Sequence, residues 1–355
     1  MLPGNGVCGA RNGAHVTEPR LALGRFEILA HRRMVGSLDV RLPAGETSLG
    51  RAAWAGLQDS MPRAALLSIH ARIHGTTPAA LDDPSLVQVW GPRYSTYVVA
   101  ARDVAVFTLG RLPDEGNARR RAEDMADRLD AFLAGRATGD VEAGRGVGVN
   151  PSALRYGAPT GRILIRWDGA RQPTVWTMPP PTMEPVEARH ELVRRYLHVF
   201  GPGTPEAFAE WAGIAAVSAH TAFAALGSSL VPVRTPVGDG WILAVDEATF
   251  RAPPMPAAPA RLLPSGDTFF LLQGADRELL VPDADRRAML WTSRVWPGAV
   301  LVEGEVVGTW RRAQAVVSVE SWRKLAAAER NAIEEEAASM PLPGMAGPIR
   351  VRWPL

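Results

Sequence analysis

Residues 204–245, TPEAFAEWAGIAAVSAHTAFAALGSSLVPVRTPVGDGWILAV, contain the most complete folding signal of this sequence. Thr204 predicts a helix N-cap, with a proline following in the first turn. Gly213 predicts the end of that helix, and a second helix is predicted over residues 215–226. Two short helices that meet at a glycine are typical of a helix-turn-helix corner.

A strand hairpin is predicted directly after this corner. Residues 230–233 and 241–245 have the composition of strands, and the glycines at 238–240 predict the turn between them. Two helices followed by such a hairpin are typical of a winged helix. We therefore predict a complete winged-helix unit over residues 187–250.

The same order of elements is predicted twice upstream. In residues 46–110, a helix pair precedes two strands that are joined by a turn at 91–93. In residues 111–186, an amphipathic helix over 117–133 and a glycine-rich loop over 135–148 precede a hairpin around Asp168-Gly169. The sequence therefore predicts an α+β protein with three tandem winged-helix units. The units have the same order of helices and strands but no similarity in their residues.

A proline-rich run over residues 252–264 predicts a boundary after the third unit. A C-terminal β-rich, barrel-like domain with a terminal helix is predicted over residues 251–355. Its predicted strands span 268–272, 279–281, 300–302 and 306–310, and its helix spans 321–339.

The N-terminal residues 1–45 are predicted to form a flexible leader, because glycines are frequent and helical or strand periodicity is weak there. Met34 precedes the first patterned segment, so translation could start at Met1 or at Met34. We exclude this leader from the prediction of the fold.

Composition limits the classes of protein that the chain can belong to. Its 355 residues are 46% hydrophobic and 21% charged, which excludes disorder, collagen and a coiled coil for the whole chain. Cys8 is the single cysteine, which excludes a disulfide framework and favours a cytoplasmic location. No run approaches about 18 consecutive apolar residues, so we expect no membrane span. The formal net charge is only +2, so an anion-binding face must be a local patch.

Familiar catalytic motifs are not found. His70 and His74 have the spacing of two metal ligands on a helix, but Ala71 stands where a metalloprotease has glutamate and no third ligand is near. The glycines at 144, 146 and 148 lack the spacing of a dinucleotide-binding loop. We therefore expect no metal and no cofactor, and common hydrolases, kinases and dehydrogenases lose support.

The predicted winged helices favour nucleic acid as a partner. A recognition helix enters the major groove, and arginines of the wings approach phosphates. The second helix of the unit at 187–250 is rich in alanine, which favours packing over base reading. Candidate DNA contacts in the wings and on that helix are Arg93, Arg162, Arg166, Arg171 and His220.

Several motifs together indicate a family. They are GLQ at 56–58, which is predicted to lie at the end of the first helix, WGPR at 90–93, YLHVFGPGTPEAFAEWAG at 196–213, and the segments 262–277 and 307–311. With these motifs the chain resembles the bacterial winged-helix DNA-binding proteins related to interstrand-crosslink DNA glycosylases, over about residues 45–340. The resemblance implies three tandem winged helices and a C-terminal β-domain around a concave channel for double-stranded DNA.

The resemblance also implies a catalytic position. The glycosylase motif, glutamine, an aliphatic residue and glutamine, falls on Gln58, Asp59 and Ser60, and only the first position matches. Gln58 and Asp59 would orient a water for attack on the oxocarbenium-like species that forms as an N-glycosidic bond breaks. In the alternative interpretation, the two residues cap the next helix. The family's hairpin arginine corresponds to Arg93, but its histidine is Tyr97 here.

Three functions remain open from the sequence. The first is a DNA-binding protein that holds duplex phosphates, with Arg63, Arg72 and Arg93 beside Gln58. The second is a monofunctional DNA glycosylase that excises bulky alkylated purines or crosslinks. The third is a regulator that binds a small molecule or a partner through C-terminal tryptophans, with Trp291, Trp296 and Trp310 as candidates. The preferred lesion and the oligomeric state are not determined by the sequence.

Overall fold

The computed structural model describes residues 19, 21–169, 171–342, 344 and 349–354. Its strands are β1 Leu21–Ala22, β2 Leu57–Gln58, β3 Leu86–Trp90, β4 Thr96–Ala100, β5 Thr138–Gly139, β6 Ile163–Arg166, β7 Thr174–Thr177, β8 Leu230–Thr235, β9 Gly238–Leu243, β10 Ala260–Leu263, β11 Gly298–Val302, β12 Glu305–Ala313, β13 Val316–Ser321 and β14 Arg350–Arg352. Its helices are α1 Arg25–Val35, α2 Glu46–Ala52, α3 Ala64–Arg72, α4 Val104–Thr108, α5 Gly116–Leu133, α6 Asp140–Gly146, α7 Pro185–Phe200, α8 Pro205–Ala212, α9 Ala216–Leu226, α10 Glu247–Arg251, α11 Asp276–Leu280, α12 Ala284–Leu290 and α13 Ala327–Ala338.

The two helices and the strand pair predicted from residues 204–245 are confirmed, but the turn predicted at 238–240 is wrong: the chain turns at 236–237, and residues 238–240 begin β9. The Thr204 hydroxyl accepts a hydrogen bond from the Ala207 amide at 3.2 Å and caps α8. Gly213 ends α8 with a φ of 71°, in the left-handed region that a side chain disfavours. The antiparallel pair β8 and β9 follows α9. The structure is thus a mixed α+β fold, and the assignment of this segment to the winged-helix class stays a prediction.

The first two predicted units share one sheet. The six strands are ordered β2-β4-β3-β6-β7-β5. β3 of the first unit pairs with β6 of the second, with Gln88 opposite Ile165. Because this ladder crosses the expected boundary at residues 110 and 111, the two hairpins form a single layer. The predicted loop at 135–148 contains β5 and α6, which were not predicted.

The expected flexible leader is wrong for the part of it that the structure describes. Residues 25–35 form α1, and Ile28 and Leu29 are fully buried on it. β1 pairs in parallel with β8 of the third unit, with Leu21 opposite Val233. A chain that started at Met34 would lack this strand and most of this helix. Met1 and Cys8 lie outside the described residues.

The C-terminal region contains a five-stranded sheet in the order β10-β11-β12-β13-β14. Two predicted strands are wrong: residues 268–272 form a buried turn, and 279–281 lie at the end of α11. The strands at 300–302 and 306–310 are confirmed within β11 and β12, and β10 starts inside the proline-rich run. The helix predicted over 321–339 is confirmed in part as α13. None of the described helices is long and apolar enough to cross a membrane.

Candidate active site

Gln58 lies on an edge strand, not at the end of a helix as the sequence predicted. β2 pairs with β4, and Gln58 is opposite Tyr97 in the register. The side-chain oxygen of Gln58 is buried and has no hydrogen-bond partner among the described residues. A buried carbonyl oxygen without a donor is unfavourable, so this atom is available to accept a hydrogen bond from a water or a substrate group.

A turn of the C-terminal domain closes on the Gln58 side chain. Gly266 has a φ of 77°, and a Cβ atom at this position would lie 3.2 Å from Gln58 Cδ and 3.4 Å from its Nε2. Only glycine combines this backbone conformation with this close approach. The amide of Gln58 is therefore held between the first sheet and the backbone at residue 266.

Asp267 anchors this turn to α3 through a buried ion pair with Arg72. The two guanidinium nitrogens of Arg72 donate to the two Asp267 oxygens at 2.7 and 2.8 Å, and Ser68 Oγ donates to the same carboxylate at 2.6 Å. Arg72 is 2% exposed. The prediction that Arg72 lines a DNA groove is therefore wrong, because its charge is balanced inside the protein; it positions the turn that contacts Gln58.

Asp59 points inward, towards the start of α3. Its Oδ1 accepts from the Ala65 amide at 3.0 Å, and its Oδ2 accepts from Gln88 Nε2 at 2.8 Å. Burial raises the pKa of Asp59 to about 6, against the opposite effects of these hydrogen bonds and of Arg166 and Arg63. Both oxygens are thus occupied by protein donors. These contacts favour the alternative in which Asp59 caps a helix. Gln58 makes no corresponding hydrogen bond to α3 among the described residues.

Gln88 connects Asp59 to the second hairpin. It donates to the Trp167 carbonyl at 3.0 Å and accepts from the Trp167 amide at 2.6 Å. A cavity of about 150 Å³ lies here, lined by Asp59, Gln88, Arg63 and Arg166 among others. A larger one, of about 340 Å³, is lined by Pro62, Ser265 and Trp296 among others. The two cavities are lined by residues next to Gln58 in the chain and by Ser265 next to Gly266, but Gln58 itself lines neither of them.

Two of the predicted DNA-contacting arginines have left-handed backbones. Arg63 precedes α3 with a φ of 66°, and Arg93 lies in the β3–β4 turn with a φ of 54°. Neither forms an ion pair with a described carboxylate. The amide of Gln273, oriented to satisfy both neighbours, accepts from Arg93 and donates to Glu210 at 2.9 Å. Left-handed backbone conformations are costly for residues other than glycine, and such strain clusters at functional sites.

Most of the other predicted DNA contacts already have acidic partners within the protein. Arg162 pairs with Asp127 and Asp130, Arg166 pairs with Asp82, and His220 pairs with Glu206 at 2.8 Å. Arg171 is exposed, and its amide donates to Asp168 at 2.9 Å. Since three of these side chains already have acidic partners, the structure does not bring the predicted set together into one patch of free positive charge. Their contact with DNA stays a prediction.

The tryptophans and histidines singled out in the sequence have structural partners. Trp291 and Trp310 are buried and donate their indole N–H groups to the carbonyls of Phe270 and Leu263 at 3.0 and 2.9 Å. His70 is buried on α3 and lies 3.1 Å from Ser339 Oγ. Burial lowers its pKa to about 3. These contacts favour packing over ligand binding at these positions.

A family model described as DNA glycosylase AlkZ-like matches residues 52–341. The chain belongs to the AlkZ-like DNA glycosylase family. A curated relative from Streptomyces sahachiroi, an interstrand DNA cross-link repair glycosylase, is 30% identical over 162 residues. This match covers 44% of the chain and 42% of the relative, so the two align over less than half the relative's length.

A solved structure of the AlkZ-like family has the same fold. The Streptomyces sahachiroi DNA glycosylase AlkZ superposes with a TM-score of 0.75 over 94% of this chain and 100% of that chain, at 17% identity. The family match includes β2, the turn at Gly266 and the Arg72–Asp267 pair. Of the residues that build the site, Gly266 and Asp267 lie in a motif quoted above, whereas no feature of the sequence points to Gln88.

Proposed function

We propose that this AlkZ-like protein is a DNA glycosylase that hydrolyses the N-glycosidic bond of a bulky alkylated or crosslinked purine in double-stranded DNA. The observation that carries the proposal is the unpaired, buried side-chain oxygen of Gln58 at the junction of the first sheet and the C-terminal domain. Family membership supports it. A cytoplasmic location at the DNA accords with this activity.

The chemistry assigned to Gln58 is orientation of a water. The bond between C1′ and the purine nitrogen breaks, its electron pair goes to the base, and the sugar acquires oxocarbenium character. Gln58 Oε1 accepts a hydrogen bond from the water, so that the water oxygen faces C1′; the released proton passes to solvent. Asp59 acts as a positioning residue, since it holds the start of α3 and Gln88.

The substrate class follows from the same side chain. A carboxamide provides hydrogen-bond donors and an acceptor but carries no ionisable proton at neutral pH. Gln58 therefore cannot act as a general acid for a base that must be protonated as it leaves. A purine alkylated on its ring already carries positive charge and leaves as a neutral molecule, so such lesions are the expected substrates.

The test is incubation of the protein with a duplex that contains a single N7-alkylguanine. We expect abasic sites to appear, and Gln58→Ala to reduce the single-turnover rate by at least about 100-fold, the scale of a lost positioning group. Gln172→Ala, which truncates an exposed glutamine of the second hairpin, is the matched control and should retain the wild-type rate. Intact DNA at excess wild-type enzyme would exclude glycosylase activity on this lesion.

A DNA-binding protein that breaks no bond is the second candidate, because Asp59 and Ser60 depart from the catalytic pattern. The guanidinium groups of Arg63, Arg93 and Arg171 form no ion pair with a carboxylate of the described residues, and they are the proposed phosphate contacts. This candidate gives tight, salt-sensitive binding to the same duplex without abasic sites. The binding and base-release measurements on one substrate therefore separate the two functions.

A further inference from the structure

The outer strands of the C-terminal sheet carry a groove that the proposed active site does not use. The groove measures about 460 Å³ and is lined by residues of β12, β13 and the C-terminal segment, including Arg311, Ser318, Arg352 and Trp353. It shares Trp310 and Arg311 with the cavity of about 340 Å³ that reaches Pro62. The two spaces therefore meet on either side of one strand.

Three residues form a row across this groove. Arg311 on β12 is opposite Ser318 on β13, and Ser318 is opposite Arg352 on β14. Partners in register point to the same face of a sheet, so the two arginines share a face two strands apart, at about 10 Å. Arg352 donates from Nε and Nη2 to Ser318 Oγ at 3.1 and 2.7 Å, which fixes its guanidinium over the sheet.

β14 is held firmly to the rest of the domain. It pairs in parallel with β13, and Val351 and Trp353 pack against the core beneath. The Trp353 indole N–H donates to Glu334 of α13 at 2.8 Å, and the guanidinium of Arg330 lies 5.1 Å from its ring centroid. Alternation along the strand then places Arg350 and Arg352 on the opposite, exposed face. The family match ends at residue 341, so this strand lies beyond it.

The positive charge of this row is not neutralised within the described part of the chain. Arg311 donates to the Val295 carbonyl at 3.0 Å and Arg352 to a hydroxyl, and no carboxylate pairs with either. This differs from α5, where Arg119 and Arg128 pair with acids one turn away. The acidic residue that lines the groove is Glu320. It lies two residues after Ser318 on β13 and is opposite Thr309, not Arg311.

We infer that Arg311 and Arg352 form a backbone-binding row for duplex DNA, which extends the DNA footprint from the Gln58 site across the C-terminal sheet. The inference rests on the proposed function, since it places the second contact on the DNA that Gln58 would act on. Fixed guanidiniums without acidic partners suit phosphodiester oxygens, which accept from planar donor groups. The groove shares Trp310 and Arg311 with the cavity that Ser265 lines, and Ser265 precedes the glycine in contact with Gln58, so the inferred path of the duplex follows these two adjoining spaces.

The experiment measures binding of the full chain to a duplex with one N7-alkylguanine, over a range of salt concentrations. The double variant Arg311→Ala/Arg352→Ala should bind about tenfold or more weakly at low salt, and the slope of log affinity against log salt should fall by about 1.8, for two lost phosphate contacts. Base release in single turnover at saturating enzyme should be unchanged, because neither arginine contacts Gln58.

Two further variants separate charge from packing. Arg311→Lys/Arg352→Lys keeps both charges and should retain most of the wild-type salt slope, whereas the alanine pair does not. Arg251→Ala removes an arginine that is already paired with Glu247 on α10, and its affinity should equal that of the wild type. If the double alanine variant and the wild type had equal affinity and equal salt slope, the inferred DNA contact of Arg311 and Arg352 would be rejected, but the proposed glycosylase activity would not. Absence of DNA binding by the wild type would overturn the proposed function itself.

Discussion

The Gln58 side chain is confined by Gly266, a residue that is distant from it in the sequence. The local sequence around 58 resembles the end of a helix, yet the residue lies on a strand whose partner is Tyr97. Its amide is then confined by the backbone at Gly266. The proposed water-orienting group is thus set by two contacts, one within the first sheet and one from another domain.

Gly266→Ala is expected to slow base release more than it destabilises the protein. The φ of 77° makes alanine unfavourable by about 1 kcal/mol, and the new Cβ would crowd Gln58 Cδ at 3.2 Å. A displaced amide misorients the water, so we expect a rate loss of about 10- to 100-fold. Single-turnover base release and urea denaturation measure the two effects.

The control for this substitution lies in the same segment. Gly274 also has a positive φ, of 51°, but a Cβ there would meet no atom within 4 Å. Gly274→Ala should therefore have a similar cost in stability and a normal rate. If both variants were equally slow, the contact with Gln58 would not be the cause.

Arg63 combines backbone strain with the proposed role in binding phosphate. Its φ of 66° is a conformation that glycine adopts freely. We expect Arg63→Gly to be more stable than Arg63→Ala by about 1 kcal/mol, while both bind duplex DNA more weakly than the wild type. Thermal or urea unfolding and a salt-dependent binding assay provide the two measurements. Wild-type affinity in both variants would remove Arg63 from the interface.

At the scale of elements, α3 depends on a carboxylate that precedes it by several residues. Asp59 accepts from the Ala65 amide, and burial raises its pKa to about 6. An aspartate in an unfolded chain has a pKa of about 3.9, so the folded protein binds more protons between these values. The contribution of this carboxyl group to stability is therefore fully present below about pH 4 and is lost as the pH rises through about 6.

Comparison with Asp59→Asn tests this pH dependence. The free energy of unfolding of the wild type minus that of the variant should fall by about 2–3 kcal/mol between pH 4 and pH 7, since one pKa unit corresponds to about 1.4 kcal/mol. Asparagine does not titrate, so it removes this slope. Urea unfolding at several pH values measures it, and a difference that grows with pH would show that the ionised form is the stabilised one.

The elements that the sequence predicted are those whose signals are local. Thr204 and Gly213 predicted both ends of α8, because capping depends on neighbouring atoms. By contrast, residues 268–272 are apolar enough for a strand, yet they form a buried turn next to Asp267, which binds Arg72 of a helix distant in the sequence. The position of Gln58 could be found from its family motif, but its unpaired oxygen and the contact with Gly266 depend on tertiary structure.

At the scale of the whole molecule, the separate units of the prediction are joined by contacts between distant segments. β3 and β6 connect the first two hairpins. α1 packs on the third unit, where His31 stacks on Phe250 with ring centroids 3.7 Å apart and Arg32 donates to the Gly201 carbonyl at 3.0 Å. The chain therefore folds with its N-terminal helix as part of the core, and substitutions at these junctions act on the whole assembly of units.

The Arg72–Asp267 pair joins the first unit to the C-terminal domain, so its loss should affect both. Arg72→Met leaves the Asp267 carboxylate buried without a cation, which costs about 3–5 kcal/mol. Arg72→Met/Asp267→Asn removes the unpaired charge and should recover part of that loss. Urea denaturation of the two variants and the wild type measures both steps. If Arg72 instead bound phosphate, Arg72→Met would fold with wild-type stability and lose DNA affinity; the 2% exposure of Arg72 favours the structural role.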